Sequence, residues 1–510
     1  MNFIPLPYMK KFCTGMAVLS MLFFVSCGGD DPVVPESPKT SQEPTVPVVE
    51  TVVTDVDPLD HYAAALQVTV TEDATHEVSD LVSTILAAGS LDSFVSSLVK
   101  GEINSQVSSR EQEWSKKYGR TVSLKVRGVK YTYASVDQTG KPIILSSYAT
   151  WAFPDIADTL RTADHDRIYL YCPYTLTQES GCSTATLGGY ANALVLKNSL
   201  VVSPDYQGFG STHDTDQMYL NHELSGRQIY DAMAAAYMIF RGKGFSLSED
   251  WHLAVMGMSQ GAANAVAVQK YMETTEAEMT TSVRTTGQTV EEVKTGKLLS
   301  DWWHYSYTSA ACGPYSPVRT MDEYLSWTAL EHPSVIPLVV KSMVASYPSQ
   351  LGSFGEAKFF SERYDKDKAE WDSLYVHKLY TTTTLDNMMF AKVTAPGHES
   401  YASQRKLLLS DLVSEELLDA ASPLATAFRA CLSRNDLTSG WTPAHHIFLY
   451  AAKKDEYVPY GNTEALVSLA PSMVHVLTTD TVSDHSSACT FWLVYTALGA
   501  YDNTITSAIK

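Results

Sequence analysis

The sequence predicts an α/β fold in which a mostly parallel, doubly wound sheet is interrupted by one large helical insertion. Short, continuous apolar runs (Ile168 to Tyr171, Leu200 to Ser203, His252 to Met256, Tyr305 to Ala310, Ile447 to Ala451 and Val474 to Leu477) alternate with helical stretches. Strands covered on both faces read this way. A Gly-x-Ser-x-Gly segment, Gly257 to Gly261, stands between one of these runs and an Ala-rich helix, Ala262 to Met272. The spacing of the runs breaks once, between about Pro317 and Ala444, where the pattern is helical and supplies no core strand.

Taken in order, the chain opens on an address. Lys10 and Lys11 precede an apolar run, Phe12 to Val25, that is too short to span a bilayer and sits where the hydrophobic region of a signal peptide belongs. Residues 1–26 are therefore expected to be removed. From Gly28 to about Pro58 the composition is rich in Pro, Thr, Val and acidic residues with no period that would bury a face, so residues 27–58 read as a disordered tether. Between residues 59 and 118 the recurrence of Val78, Leu81, Val82 and Ile85 at three- and four-residue intervals predicts a helical segment. Val122, Leu124 and Val126, then Val129, Tyr131 and Tyr133, alternate as a strand, and Gly140-Lys141-Pro142 turns it into the run Ile143 to Leu145. An antiparallel pair thus leads the core, which spans residues 119–316 and 445–510, with the helical cap at 317–444.

Charge and cysteine usage limit the function classes. The chain has 37 basic and 57 acidic residues, a net charge of −20, and a surface that acidic repels phosphate backbones. Nucleic acid is not an expected partner. Cys172, Cys182, Cys312, Cys431 and Cys489 show no metal-ligand spacing such as Cys-x-x-Cys. Cys172 and Cys182 are either a local bridge or buried thiols. The segments Asp164-His165-Asp166 and His213-Asp214-x-Asp216 lie in polar loops without a third partner, so no metal site is read from them.

The chemistry-bearing residues fall after strands. A serine hydroxyl is a weak nucleophile and needs a base within hydrogen-bond reach and a third group to fix that base. Ser259 lies on a strand-to-helix turn where Gly257 and Gly261 leave room, and the helix start presents unpaired N–H groups to a developing oxyanion. Asp455 follows the run Ile447 to Ala451, and His485 follows the run Val474 to Leu477. The order Ser, Asp, His places Ser259 as nucleophile, Asp455 as the orienting acid and His485 as the base, all at carboxyl ends of core strands. Asp484 merely adjoins the base, and His445 and His446 precede their strand and lie at its wrong end.

Gly257 to Gly261, the segment Val202-Ser203-Pro204-Asp205-Tyr206-Gln207-Gly208-Phe209-Gly210, the block Asp455 to Pro459, and Asp484-His485 together resemble the α/β-hydrolase esterases and lipases, nearest to the secretory lipase-like branch. The resemblance runs from about Val122 to Ala500. It implies an α/β-hydrolase fold, hydrolysis of a carboxylic ester through an acyl-enzyme, no cofactor, and Asp205 as the residue holding a turn. It also implies that the N–H of Gln260 is one oxyanion donor. The second donor belongs on the loop after Ile168 to Tyr171, where the family usually has His-Gly. Here stand Cys172, Pro173, Tyr174 and Thr175; Pro173 has no N–H to give, which leaves Tyr174 or Thr175. Two other readings stay open, a serine peptidase of the same fold and a catalytically silent surface-binding lipoprotein. Within the cap, Tyr324, Leu325, Trp327, Leu330 and Met343 are either acyl-pocket lining or cap core. At the other end, Ser26-Cys27 followed by Gly28, Gly29, Asp30 and Asp31 resembles the lipobox of bacterial lipoproteins of the Bacteroidetes type. That resemblance implies lipidation of Cys27 and a membrane contact through the anchor alone, at the outer membrane of a bacterial envelope.

Overall fold

The computed structural model describes residues 51–55, 62, 64–80, 83, 93–157, 165–277, 280–286, 289–294, 296–477 and 482–497. Its frame is a nine-stranded sheet. In chain order the strands are β1 (Thr69–Glu77), β2 (Leu124–Val136), β3 (Pro142–Pro154), β4 (His165–Cys172), β5 (Ser199–Pro204), β6 (Leu247–Met258), β7 (Tyr305–Ala311), β8 (His446–Tyr450) and β9 (Val474–Val476). Across the sheet they lie in the order β9-β8-β7-β6-β4-β5-β3-β2-β1. The pairs β1/β2, β2/β3 and β3/β5 are antiparallel, and every pair from β5 to β9 is parallel.

The apolar runs are continuous because both faces are covered, and alternate residues serve opposite layers. Ile168, Leu170, Leu253 and Val255 pack in one core with Ile229, Met233 and Ala265 from the helices α2 (His222–Gly242) and α3 (Gln260–Thr274). Tyr169, Tyr171, Ala254 and Met256 pack in the other with Val99 and Trp114 of α1 (Ser93–Tyr118) and Trp492 of the C-terminal helix, His485–Ala497. The chain steps from β4 to β5 on one side and then to β6 on the other. The carboxyl ends of β4 and β6 therefore face each other at the topological switch point, where such sheets open a crevice.

Between β7 and β8 the described residues add no strand to the main sheet. They form helices around a separate apolar core that includes Met343, Trp371, Met389 and Leu412, all fully buried, and a short ladder of Ala329–Leu330 with Leu407–Leu408. Among the described residues no helix is long and apolar enough to cross a membrane.

Two expectations need correction. The stretch read as helical from 59 to 118 contains β1, whose residues Thr-Val-Thr-Glu-Asp-Ala-Thr-His-Glu are mostly exposed. An edge strand with a polar outer face carries no apolar period, and it is held here by its register with β2 and by ion pairs such as Arg127 with Asp73. The residues of the expected helix around Leu81, Val82 and Ile85 lie outside the described ones. In the segment read as a disordered tether, Thr51–Asp55 is a strand paired antiparallel with Thr280–Thr286; its remainder and Cys27 lie outside the described residues. Cys172 and Cys182 are free, buried thiols.

Candidate active site

Ser259 joins β6 to α3 at φ 56° and ψ −127°, a conformation that costs a non-glycine residue about 1–3 kcal/mol and persists only where the surroundings impose it. The surroundings are backbone. The Ser259 N–H donates to the Ala311 carbonyl at the end of β7 (2.7 Å), and its carbonyl accepts from Ala262 N–H (3.0 Å). The flanking glycines are required by close approach. A Cβ on Gly257 would meet the Gly261 carbonyl oxygen at 2.2 Å, and one on Gly261 would meet the Cys172 carbonyl oxygen at 2.0 Å. The loop after β4 thus lies directly against the first turn of α3. It is pinned there by the Tyr206 hydroxyl, which donates to the Pro173 carbonyl (2.6 Å).

His485 opens the C-terminal helix and is buried. Its Nδ1 is 2.8 Å from Asp455 Oδ2. The other carboxylate oxygen, Oδ1, accepts from the backbone N–H groups of Tyr457 (2.9 Å) and Val458 (2.6 Å), so Asp455 is buried with both oxygens engaged. An ionised carboxylate only accepts, which makes Nδ1 the donor and leaves Nε2 as the ring nitrogen with the lone pair that can take a proton. Burial works against a charged ring, but the Asp455 carboxylate, with a smaller contribution from the neighbouring Cys312 side chain, outweighs it and holds the His485 imidazole above its ordinary range. The His485 N–H donates to Glu456 Oε2 (3.2 Å), tying the helix start to the same loop.

Ser259 and His485 line one cavity of about 420 Å³. Tyr174 and Thr175 from the loop after β4 form part of its wall, and its far side is apolar cap surface including Met321, Leu325, Val339 and Phe428. The Tyr324 hydroxyl donates to the Tyr457 carbonyl, so the cap is docked on the loop that holds Asp455.

No protein-family model and no curated protein sequence matches the chain. Its backbone superposes on the rice cell wall degrading esterase LipA of Xanthomonas oryzae with a TM-score of 0.55 at 18% identity, covering 85% of this chain and 96% of LipA. It also superposes on a Legionella pneumophila protein assigned as a hydrolase, with a TM-score of 0.54 at 14% identity, covering 86% and 97%. The fold is the α/β-hydrolase fold. At these identities the likeness is one of architecture alone.

Within the α/β-hydrolase fold, the structure brings Ser259, His485, Tyr174 and Thr175 to one cavity, links Asp455 to His485, and sets Gln260 as the first residue of α3. Asp484 is turned away from the ring. Its Oδ1 accepts from Ser487 N–H (2.8 Å), capping the C-terminal helix, and these bonds to Ser487 lower its carboxyl below the usual range. Asp205 is buried and accepts from the hydroxyls of Ser146 (2.8 Å) and Thr184 (2.6 Å), a turn-holding arrangement. His445 pairs with Glu273 and His446 with His475, each at 2.8 Å, at the amino end of β8. His165 Nε2 lies 2.9 Å from the Ala152 carbonyl, and His213 pairs at the surface with Asp214. Of the five cap residues, Tyr324 and Leu325 line the cavity, while Leu330 and Met343 are buried in the cap's own core, with Trp327 packed against it.

Sequence reading missed Cys312 and Cys489. Their sulphurs and a ring nitrogen of His485 all lie within 4.8 Å of one another. One signal was available: Cys489 follows His485 by four positions, one helical turn on the same face. Cys312, directly after β7, carried none.

Proposed function

We propose that this protein is a serine hydrolase that cleaves carboxylic esters through an acyl-enzyme on Ser259. The observation that carries the reading is the strained turn that sets Ser259 into the same cavity as a histidine already oriented by a buried carboxylate. Nε2 of His485 takes the proton as the Ser259 oxygen attacks the ester carbonyl, and Asp455 stabilises the imidazolium that forms. The N–H of Gln260 and a group on the Tyr174–Thr175 loop meet the oxyanion at the positive end of α3. The imidazolium then protonates the departing alkoxide, and water activated by His485 releases the acid. The apolar cap side of the cavity supports an acyl chain lying under the cap, with the alcohol part toward the loop after β4. The cavity falls in the size range of small-molecule sites, and a base already oriented by a buried carboxylate favours an ester substrate over a silent binding module.

A fluorophosphonate probe tests this directly: the native protein becomes labelled on Ser259, and Ser259→Ala loses both labelling and ester hydrolysis. Persisting label on Ser259→Ala would reject the nucleophile. Failure of the native protein to label or turn over any acyl ester would return the reading to a binding module, and aminoacyl amides as the better substrates would favour the peptidase. We further propose that the enzyme is held at the bacterial outer membrane by lipid on Cys27. Intact mass of membrane-extracted protein checks it, and an unmodified amino terminus overturns it.

A further inference from the structure

We propose that Cys312, His485 and Cys489 form a reversible inhibitory site for a thiophilic divalent ion, zinc in the first instance. Two thiols and one imidazole are a donor set typical of zinc, and three protein ligands leave the fourth position open to water or to the substrate side. The spacing suits an ion. Ligand atoms on tetrahedral zinc, with bonds of about 2.0–2.3 Å, stand about 3.5–3.8 Å apart, and the three donor atoms here lie within 4.8 Å of one another. Small rotamer adjustments close the difference.

The three ligands are held by separate parts of the fold. Cys312 is buried on the turn after β7, and its N–H donates to the Tyr450 carbonyl of β8 (2.9 Å). Cys489 is one helical turn beyond His485 and lines the cavity together with it, so an ion can enter from the substrate side. His485 is already oriented as metal-ligating histidines are: a carboxylate holds Nδ1 at 2.8 Å, which leaves Nε2 as the coordinating nitrogen. Binding releases the two thiol protons and, where the ring is charged, the His485 Nε2 proton to solvent, and the two thiolates balance the +2 charge, so the ion with its three ligands is neutral. Because the ion occupies the nitrogen that must accept the Ser259 proton, its arrival stops acyl transfer; this inhibitory half of the inference rests on the base role proposed for His485, and the binding half does not.

The test uses the chelator-stripped protein with cobalt(II) as the spectroscopic probe and zinc as the inhibitor, beside Cys312→Ala and Cys489→Ala. One cobalt ion per chain should bind with a thiolate-to-metal charge-transfer band in the near ultraviolet, and zinc should abolish the band. Zinc should suppress ester turnover and a chelator should restore it. In both variants the band should vanish, and the zinc needed for half-inhibition, measured against each variant's own metal-free rate, should rise by at least about tenfold. The absence of a charge-transfer band in the native protein overturns the site, as does a thiol count two short with no metal bound, which marks a disulfide instead. Equal zinc sensitivity in the native protein and both variants overturns the inhibition. If no ester is turned over at all, the cobalt spectrum still decides whether the site exists, so failure of the hydrolase reading and failure of this one are separately visible.

Discussion

Asp455→Asn separates orientation of the base from its presence. Asparagine keeps the shape of the carboxylate but has one acceptor oxygen and one amino group, and the surroundings dictate which goes where. The position of Oδ1 receives two backbone N–H bonds, from Tyr457 at 2.9 Å and Val458 at 2.6 Å. Turning the amino group toward those donors would leave both without an acceptor, at about 1–3 kcal/mol each. The oxygen therefore stays there, and the amino group takes the Oδ2 position, which is 2.8 Å from Nδ1 of His485 in the native protein. An amino group only donates, so Nδ1 becomes the acceptor and the ring proton moves to Nε2, the nitrogen that must receive the Ser259 proton. The expected loss is about 10⁴ in kcat, as for the same change in a well-studied triad, equivalent to about 5.4 kcal/mol of barrier. KM should change little, because Asp455 does not line the cavity. Steady-state hydrolysis of a p-nitrophenyl ester reads kcat and KM, and thermal melting shows that the variant remains folded. A kcat within tenfold of native, or a loss carried by KM, would refute the tautomer reasoning and with it the role given to Asp455.

Three further outcomes are expected. Since the Asp455 carboxylate is the main group that holds the His485 imidazole above its ordinary range, the acid limb of the native kcat/KM profile should lie above the usual imidazole pKa of about 6.5; in the residual activity of Asp455→Asn, where the largest opposition to burial is gone, it should move to lower pH, and an unmoved limb would mean that another group sets it. Asp484→Ala removes the helix cap on Ser487 and should cost about 0.5–2 kcal/mol in denaturant melts while leaving kcat near native; collapse of turnover in a folded Asp484→Ala would reassign the acid. Val339→Trp fills cap-side cavity volume and should lower kcat/KM for long acyl esters by at least about tenfold while sparing acetyl esters; equal losses on both would remove the acyl chain from under the cap.

Much of this architecture is local in origin, and local order is legible. The central strands are apolar runs because each of their faces meets a helical layer, and residues such as Tyr169 and Leu170 announce burial whichever layer they join. The turn at Ser259 is equally legible, because Gly257 and Gly261 are forced by backbone contacts within a few residues and against the neighbouring strand. The order of Ser259, Asp455 and His485 along the chain follows from the fold's topology, so one sequence states it. What tertiary structure alone decided is wherever a residue's role depends on a distant neighbour. β1 is an exposed polar strip that becomes a strand only because β2 offers it an edge. Asp455 and Asp484 are alike in sequence, and only the placement of the Tyr457 and Val458 amides and of Ser487 makes one face the ring and the other cap a helix. Leu325 and Leu330 carry the same side chain five positions apart, yet one faces the cavity and the other the cap core, a difference set by how the cap docks on the sheet. Cys312 and Cys489 come together around His485 because β7 ends, and the C-terminal helix begins, at the same edge of the crevice. Side-chain type and period follow from the chain itself, whereas convergence follows from the packing of elements that the local sequence does not specify.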